Sequence, residues 1–172
     1  MRCSNESFIE KTIVEDSLDA LDWRLLELLQ DDASLTNQAL ADAAHVSPAT
    51  ALRRVKRLRE LGVIERFTVL LAPRLAGQGL HALCEVTLDR QGAEHLDAFE
   101  ARAVAQDAVQ QCWRVSPGPD FILVVWVADM PAFHALTHRL FTQDANVRNV
   151  KSFFSVKRGK FAPKVAPISS SP

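Results

Sequence analysis

Leu18, Leu21, Leu25, Leu28 and Leu29 recur at spacings of three and four, the mark of one apolar helix face. Ser17 or Asp19 is the expected cap, and the Asp31-Asp32 pair lies near the end of this helix. Thr36 announces a second helix over the alanine-rich stretch Gln38 to Ala44, whose small side chains allow close packing. Ser47-Pro48 opens a third, a capping hydroxyl followed by proline at the first helical position. That helix is expected to run to about Leu61, with Gly62 as its stop. Val63 to Val69 then alternates like a strand and suits a wing. Pro73, Gly77 and Gly79 punctuate the chain, so residues 67–79 read as a linker between two domains.

A different rhythm follows. Ala82, Cys84, Val86 and Leu88 alternate with more polar neighbours, as in a half-buried strand, and Ala93, Leu96, Phe99 and Ala103 return to helical spacing. Gln111, Trp113 and Val115 alternate again, and Phe121 to Ala128 is an unbroken apolar run expected to be a fully buried strand. Phe133, Leu136, Thr137, Leu140 and Phe141 mark a second helix, and Val150, Ser152, Phe154 and Val156 a last strand. The order βαββαβ is the ferredoxin-like plan, with both helices on one face of the sheet. The expected fold class is therefore α+β: an N-terminal winged helix-turn-helix at 17–66 and a ferredoxin-like domain at 80–160. Residues 1–16 form an N-terminal extension, and the Pro/Ser-rich end, 161–172, is expected to be disordered. So apolar a sheet needs cover on its second face, and dimerisation is the simplest cover.

Composition first argues against a nucleic-acid partner, because 20 Lys+Arg against 21 Asp+Glu leave a formal net charge of −1. The distribution reverses that impression. Residues 1–46 hold three basic and ten acidic side chains, whereas residues 47–66 hold six basic and two acidic. Phosphates respond to local clusters, since screening limits electrostatic reach to about 10 Å at ordinary salt. The apolar run Phe121–Ala128 is far short of the ~20 residues that a membrane-spanning helix needs. The N-terminus lacks the apolar core of a signal peptide, so a cytoplasmic protein is expected. Three cysteines (Cys3, Cys84, Cys112) with no close pair offer neither a disulfide framework nor a Cys-x-x-Cys site. Cys84 and Cys112 are expected as small reduced core residues, leaving Cys3 as the one plausible reactive thiol.

On the third helix, Leu52, Val55 and Leu58 point one way at about 100° per residue, and Thr50, Arg53, Arg54 and Arg57 point the other. Apolar in and cationic out, on the last of three short helices, is what a helix-turn-helix requires for entry into the major groove. The DNA-facing set is Ser47, Pro48, Ala49, Thr50, Arg53, Arg54 and Arg57. Thr50 suits a phosphate or a thymine methyl, Arg53 suits guanine O6/N7, and Arg54 and Arg57 suit phosphates. Lys56 and Arg59 lie off this arc, as stems covering the core.

Leu18-Asp19-Ala20-Leu21-Asp22-Trp23-Arg24-Leu25-Leu26, Leu40-Ala41, Ser47-Pro48, Arg54-Val55-Lys56-Arg57-Leu58 and Leu61-Gly62-Val63-Ile64, taken in order, resemble the Lrp/AsnC (feast/famine) family of bacterial transcription regulators. The resemblance spans about residues 17–161. It implies a sequence-specific DNA-binding regulator of amino-acid metabolism genes, with a pseudo-palindromic operator in double-stranded DNA and homodimers assembling to tetramers or octamers. It also implies that the second half is a RAM domain, related to ACT domains, which binds an amino-acid effector between subunits. Two departures stand in the first half: His45 where the family usually has a turn glycine, and Ala39 where it usually has glutamate.

The effector motif of that family falls on the turn Val115-Ser116-Pro117-Gly118-Pro119-Asp120-Phe121. The effector set is Val115, Ser116, Gly118, Asp120 and Phe121, with backbone N–H groups for a carboxylate and Asp120 for an ammonium. Pro117 replaces the usual glycine, and two prolines remove two donors. The competing reading is a rigid turn that Asp120 merely structures. His134 and His138 stand four apart but lack a third ligand, so no metal or cofactor is expected. With no Ser-His-Asp spacing or glycine-rich phosphate loop, the chain does not read as an enzyme. The alternative function is an ACT-like small-molecule module without specific DNA binding.

Overall fold

The computed structural model describes residues 18–72 and 79–165. The expected extension 1–16 with Cys3, the candidate cap Ser17, Pro73 and Gly77 of the linker, and the chain end from residue 166 lie outside the described residues. The chain divides into two compact units, one running to Val69 and including the end from Ala162, the other comprising Leu70–Phe161.

The first unit is three helices, α1 (Ala20–Asp31), α2 (Asn37–Ala44) and α3 (Pro48–Glu60). Asp19 caps α1: its Oδ1 accepts the Asp22 N–H at 2.9 Å, while the Asp22 carboxylate accepts the Asp19 N–H at 3.3 Å. Thr36 caps α2 through the Ala39 N–H, and Ser47 caps α3 through the Thr50 N–H. Leu25, Leu40, Ala41, Ala44 and Ala51 form the small core, with Leu21, Leu28, Leu29 and Val55 packed around it. The alanines of α2 let the neighbouring helices approach closely.

His45 ends α2 with φ of 57°, in the left-handed region, and the Val46 N–H closes on Ala41 O at 3.0 Å. A β-carbon there costs roughly 1–2 kcal/mol, somewhat more than the ~0.5–1 kcal/mol of unfolded-state entropy that glycine adds. His45→Gly is therefore expected to raise stability by about 0.5 kcal/mol, seen as a small rise in thermal midpoint.

Gly62 (φ 71°) ends α3, and the N–H groups of Gly62 and Val63 bond to Arg59 O and Leu58 O at 3.0 Å each. The Ile64 N–H also turns back to Leu58 O. Among the described residues the expected wing strand Val63–Val69 does not form: its first residues close the helix, and 65–71 run exposed without a ladder partner there. At the other end, Ala162–Val165 belong with the first unit; Lys164 pairs with Asp31 and the Val165 N–H bonds Gln30 Oε1 at 2.9 Å. That part of the expected disordered tail has fixed partners.

The second unit is β1 (Leu80–Leu88), α4 (Ala93–Val104), β2 (Val109–Arg114), β3 (Phe121–Val127), α5 (Met130–Thr137) and β4 (Val147–Phe154). A π-helical turn, His138–Thr142, extends α5 and lets Leu140 and Phe141 both reach the core. The sheet is antiparallel in the order β2-β3-β1-β4, the ferredoxin-like arrangement. Ala82, Cys84, Val86, Leu88, Phe121, Leu123, Val125 and Val127 line the helix side. Phe99 of α4 sits on them, its ring 4.8 Å from that of Phe121. Val156 falls outside β4 and is exposed.

Only one face of β3 is buried. Phe121, Leu123, Val125 and Val127 point to the helices, while Ile122, Val124 and Trp126 alternate onto a half-open face. Register places Leu83 between Val124 and Phe153, and Trp113 beside Ile122, so apolar side chains from all four strands gather there. Gly79 admits Trp126 at its margin, because a β-carbon there would lie 2.6 Å from the indole.

Candidate nucleic-acid interface and effector turn

Asp22 decides how α3 is turned. It lies within the leucine face of α1 and is wholly buried. Its carboxylate accepts from Arg54 Nη1 at 3.1 and 3.2 Å and from Arg57 Nη1 at 3.1 Å. Arg54 Nη1 also meets Asp19 Oδ2 at 2.7 Å. A buried carboxylate is tolerated only when charge and hydrogen bonds are both supplied, and two guanidinium groups with the Asp19 N–H supply them. The Asp22 N–H, together with Arg54, holds the Asp19 carboxyl below its ordinary range, and the Asp19 and Asp22 carboxylates raise the Arg54 guanidinium above its own.

This network turns α3 away from the sequence expectation. Ala51, Arg54, Val55 and Leu58 face the other helices, whereas Leu52 is 60% exposed. Leu52 is thus not a core position, and Arg54 is not an outward cation. Arg57 stands at the edge, its side chain 40% exposed with one end on Asp22. The outward face carries Ala49, Leu52, Arg53 and Lys56. Lys56, set aside as a core-covering stem, is 76% exposed and pairs loosely with Glu60 at 3.7 Å. Arg59 does cover an apolar surface, lying over the Phe67 ring at 5.8 Å.

The start of α3 is tied down. The Asn37 Nδ2–H bonds Pro48 O at 2.9 Å, and Ser47 Oγ stands 2.9 Å from Thr50 Oγ1. The Thr50 hydroxyl thus already has a neighbour, and Pro48 is half-buried. Of the seven sequence candidates, Ser47, Ala49 and Arg53 are exposed. The signal that finds the true rotation is Asp22 itself, since a charge inside an apolar stripe demands a partner on the packing helix.

The turn after β2 is committed mostly to the sheet. Its Ser116-Pro117 peptide is cis, and Gly118 has φ of 124°. The Val115 N–H bonds Asp120 O, and the Asp120 N–H bonds Val86 O. Asp120 Oδ2 accepts the Leu88 N–H at 2.7 Å, at the point where β1 slips register against β4. Ser116 and Gly118 are therefore the N–H donors that this turn can offer. The Phe121 side chain is wholly buried against Phe99 and packs the core. Beside the turn, Arg114 pairs with Asp97 and Glu100 over an open hollow of about 600 Å³. His134 and His138 are both exposed, and among the described residues no cluster of metal-ligating side chains forms.

Two family models match the chain, one in each half. The family model of the Lrp/AsnC ligand binding domain matches residues 81–165, and that of winged helix-turn-helix DNA-binding matches residues 18–65. A leucine-responsive regulatory protein of Rhizobium meliloti is 35% identical over 153 residues, covering 89% of this chain and 98% of its own. The transcriptional activator DecR of Escherichia coli K12 is 31% identical over 84% of this chain and 95% of its own. Among solved structures, a transcriptional regulator of Neisseria meningitidis in complex with L-Met superposes with a TM-score of 0.77 at 28% identity, over 87% of this chain and 96% of that one.

Proposed function

Because the chain belongs to the Lrp/AsnC family of transcription regulators, and is a helix-turn-helix regulator and not an enzyme, we propose that it reads a pseudo-palindromic operator through α3 as a cytoplasmic homodimer. The observation that carries this reading is the outward face of α3, where Arg53 and Lys56 stand exposed. Arg53 takes a guanine edge, while Lys56 and the exposed part of Arg57 take phosphates. Ser47, Pro48, Ala49 and Thr50 bring the helix N-terminus to the groove. Lys56 thereby assumes the phosphate role that periodicity alone assigns to Arg54. Two-fold symmetry sets the half-sites one helical turn, or a multiple, apart.

The homodimer forms on the half-open sheet face, where Leu83, Trp113, Val124 and Phe153 together make a patch larger than isolated exposed apolar residues. Dimers assemble further into tetramers or octamers. The effector is an amino acid whose carboxylate meets the Ser116 and Gly118 N–H groups, with Val115 and Asp120 shaping that turn. No helix among the described residues is long and apolar enough to cross a membrane.

DNA titrations at several salt concentrations test the reading. Arg53→Ala is expected to cost about 1–3 kcal/mol and relax preference at one base pair. Lys56→Ala is expected to weaken all sequences alike and to lower the salt slope by about one. An Arg53→Ala protein with unchanged operator affinity removes the guanine assignment, and absence of binding even at low salt leaves only a ligand-binding module. For the effector, a thermal-shift screen of the twenty amino acids is expected to single out one chemical group. A flat result across all twenty leaves Asp120 as a turn residue.

A further inference from the structure

We infer that Leu52 is a specificity-determining side chain that reads the 5-methyl group of thymine, an inference that rests on α3 being the DNA-reading helix. Leu52 is 60% exposed on a helix whose inward side is already filled by Ala51, Val55 and Leu58. Leaving an aliphatic side chain in water forgoes about 25 cal/mol for each Å² not buried, and no contact among the described residues explains its direction. Its neighbours on the same arc are Ala49, Arg53 and Lys56, and at about 100° per residue the four span roughly 100°. Leu52 and Ala49 form an apolar strip within a cationic face, in the first turns of the helix that present side chains to base edges. Of the groups on the major-groove edges, only the thymine methyl is apolar. Arg53, the next residue, takes the polar feature of an adjacent base pair, so the two side chains read a thymine beside a guanine.

The test uses the full chain and an operator selected by it from a random-sequence library. Each thymine is replaced in turn by deoxyuridine, which lacks only the methyl. Native protein is expected to lose about fourfold in affinity at one thymine per half-site, the worth of one buried methyl group. Leu52→Ala is expected to bind thymine and uracil equally there, while keeping its guanine preference and its thermal midpoint. Leu52→Gln is expected to abolish the thymine preference as well. If the deoxyuridine penalty is the same in Leu52→Ala as in native protein, the inference is overturned while the DNA-reading function stands. If Leu52→Ala instead changes the oligomeric state, the side chain belongs to a protein interface and the inference is again overturned. If no operator can be selected at all, it is the DNA-reading function that fails.

Discussion

Arg54→Met will lower the stability of the first unit by about 3 kcal/mol, the bottom of the ~3–5 kcal/mol range for breaking a buried ion pair. The methionine fits the space but leaves the wholly buried Asp22 carboxylate with Arg57, at 3.1 Å, as its one remaining cation among the described residues. Arg57 cannot compensate fully, because it stands at the solvent edge of the packing surface. Urea unfolding will show the loss as a lower midpoint, and Arg53→Met, on the exposed arc, will stay within about 0.5 kcal/mol of native. Adding Asp22→Leu to Arg54→Met will return most of the loss, since an apolar pair of similar volume needs no charge. An Arg54→Met protein no less stable than Arg53→Met would show that the network contributes nothing. The double variant also separates roles: once stability returns, operator affinity returns with it, which a direct phosphate contact from Arg54 would not allow.

Charging the half-open sheet face will dissociate the homodimer proposed to form there. Trp113 is 58% exposed and Phe153 53% exposed in the single chain, so glutamate at either leaves the unit's own core intact. In a homodimer each substitution appears twice across the two-fold and buries two unpaired carboxylates against apolar surface. Analytical ultracentrifugation will find Trp113→Glu and Phe153→Glu monomeric at concentrations where native protein is a dimer or larger. Operator affinity will fall by at least about 100-fold, because two linked half-site contacts become independent ones. The residual binding will depend less steeply on salt, with roughly half the phosphates engaged. Unchanged mass for both variants would move the oligomer contact elsewhere.

The two-part architecture is readable from periodicity. Leucines at three and four, Ser47-Pro48 and the alternation of Ala82 to Leu88 each follow from local spacing, and local spacing survives in the fold. What fails is whatever depends on a partner distant in sequence. The rotation of α3 is set by Asp22, some thirty residues earlier, so a helical wheel drawn on α3 alone places Leu52 inside and Arg54 outside. Val63–Val69 has the alternation of a strand but finds no ladder partner among the described residues, and its first two residues close α3 instead. Phe121–Ala128 reads as uniformly buried because composition does not distinguish a face covered by helices from one left half-open. Asp120 matches a motif by spacing, and spacing does not reveal that one of its oxygens accepts the Leu88 N–H from another strand. The return of Lys164 to Asp31 carries no local signal of any kind.

The Asp19–Asp22–Arg54–Arg57 network also bears on how such a protein changes its targets. The residues that hold α3 against its neighbours and those on its outward arc are almost disjoint sets. Ala49, Leu52, Arg53 and Lys56 take no part in the core, so exchanging them leaves the scaffold near its original stability. If the outward arc reads the operator as proposed, a regulator built this way can be re-addressed by a few substitutions without first acquiring a stabilising one, since the fold's security and its vocabulary are then written on opposite sides of one helix.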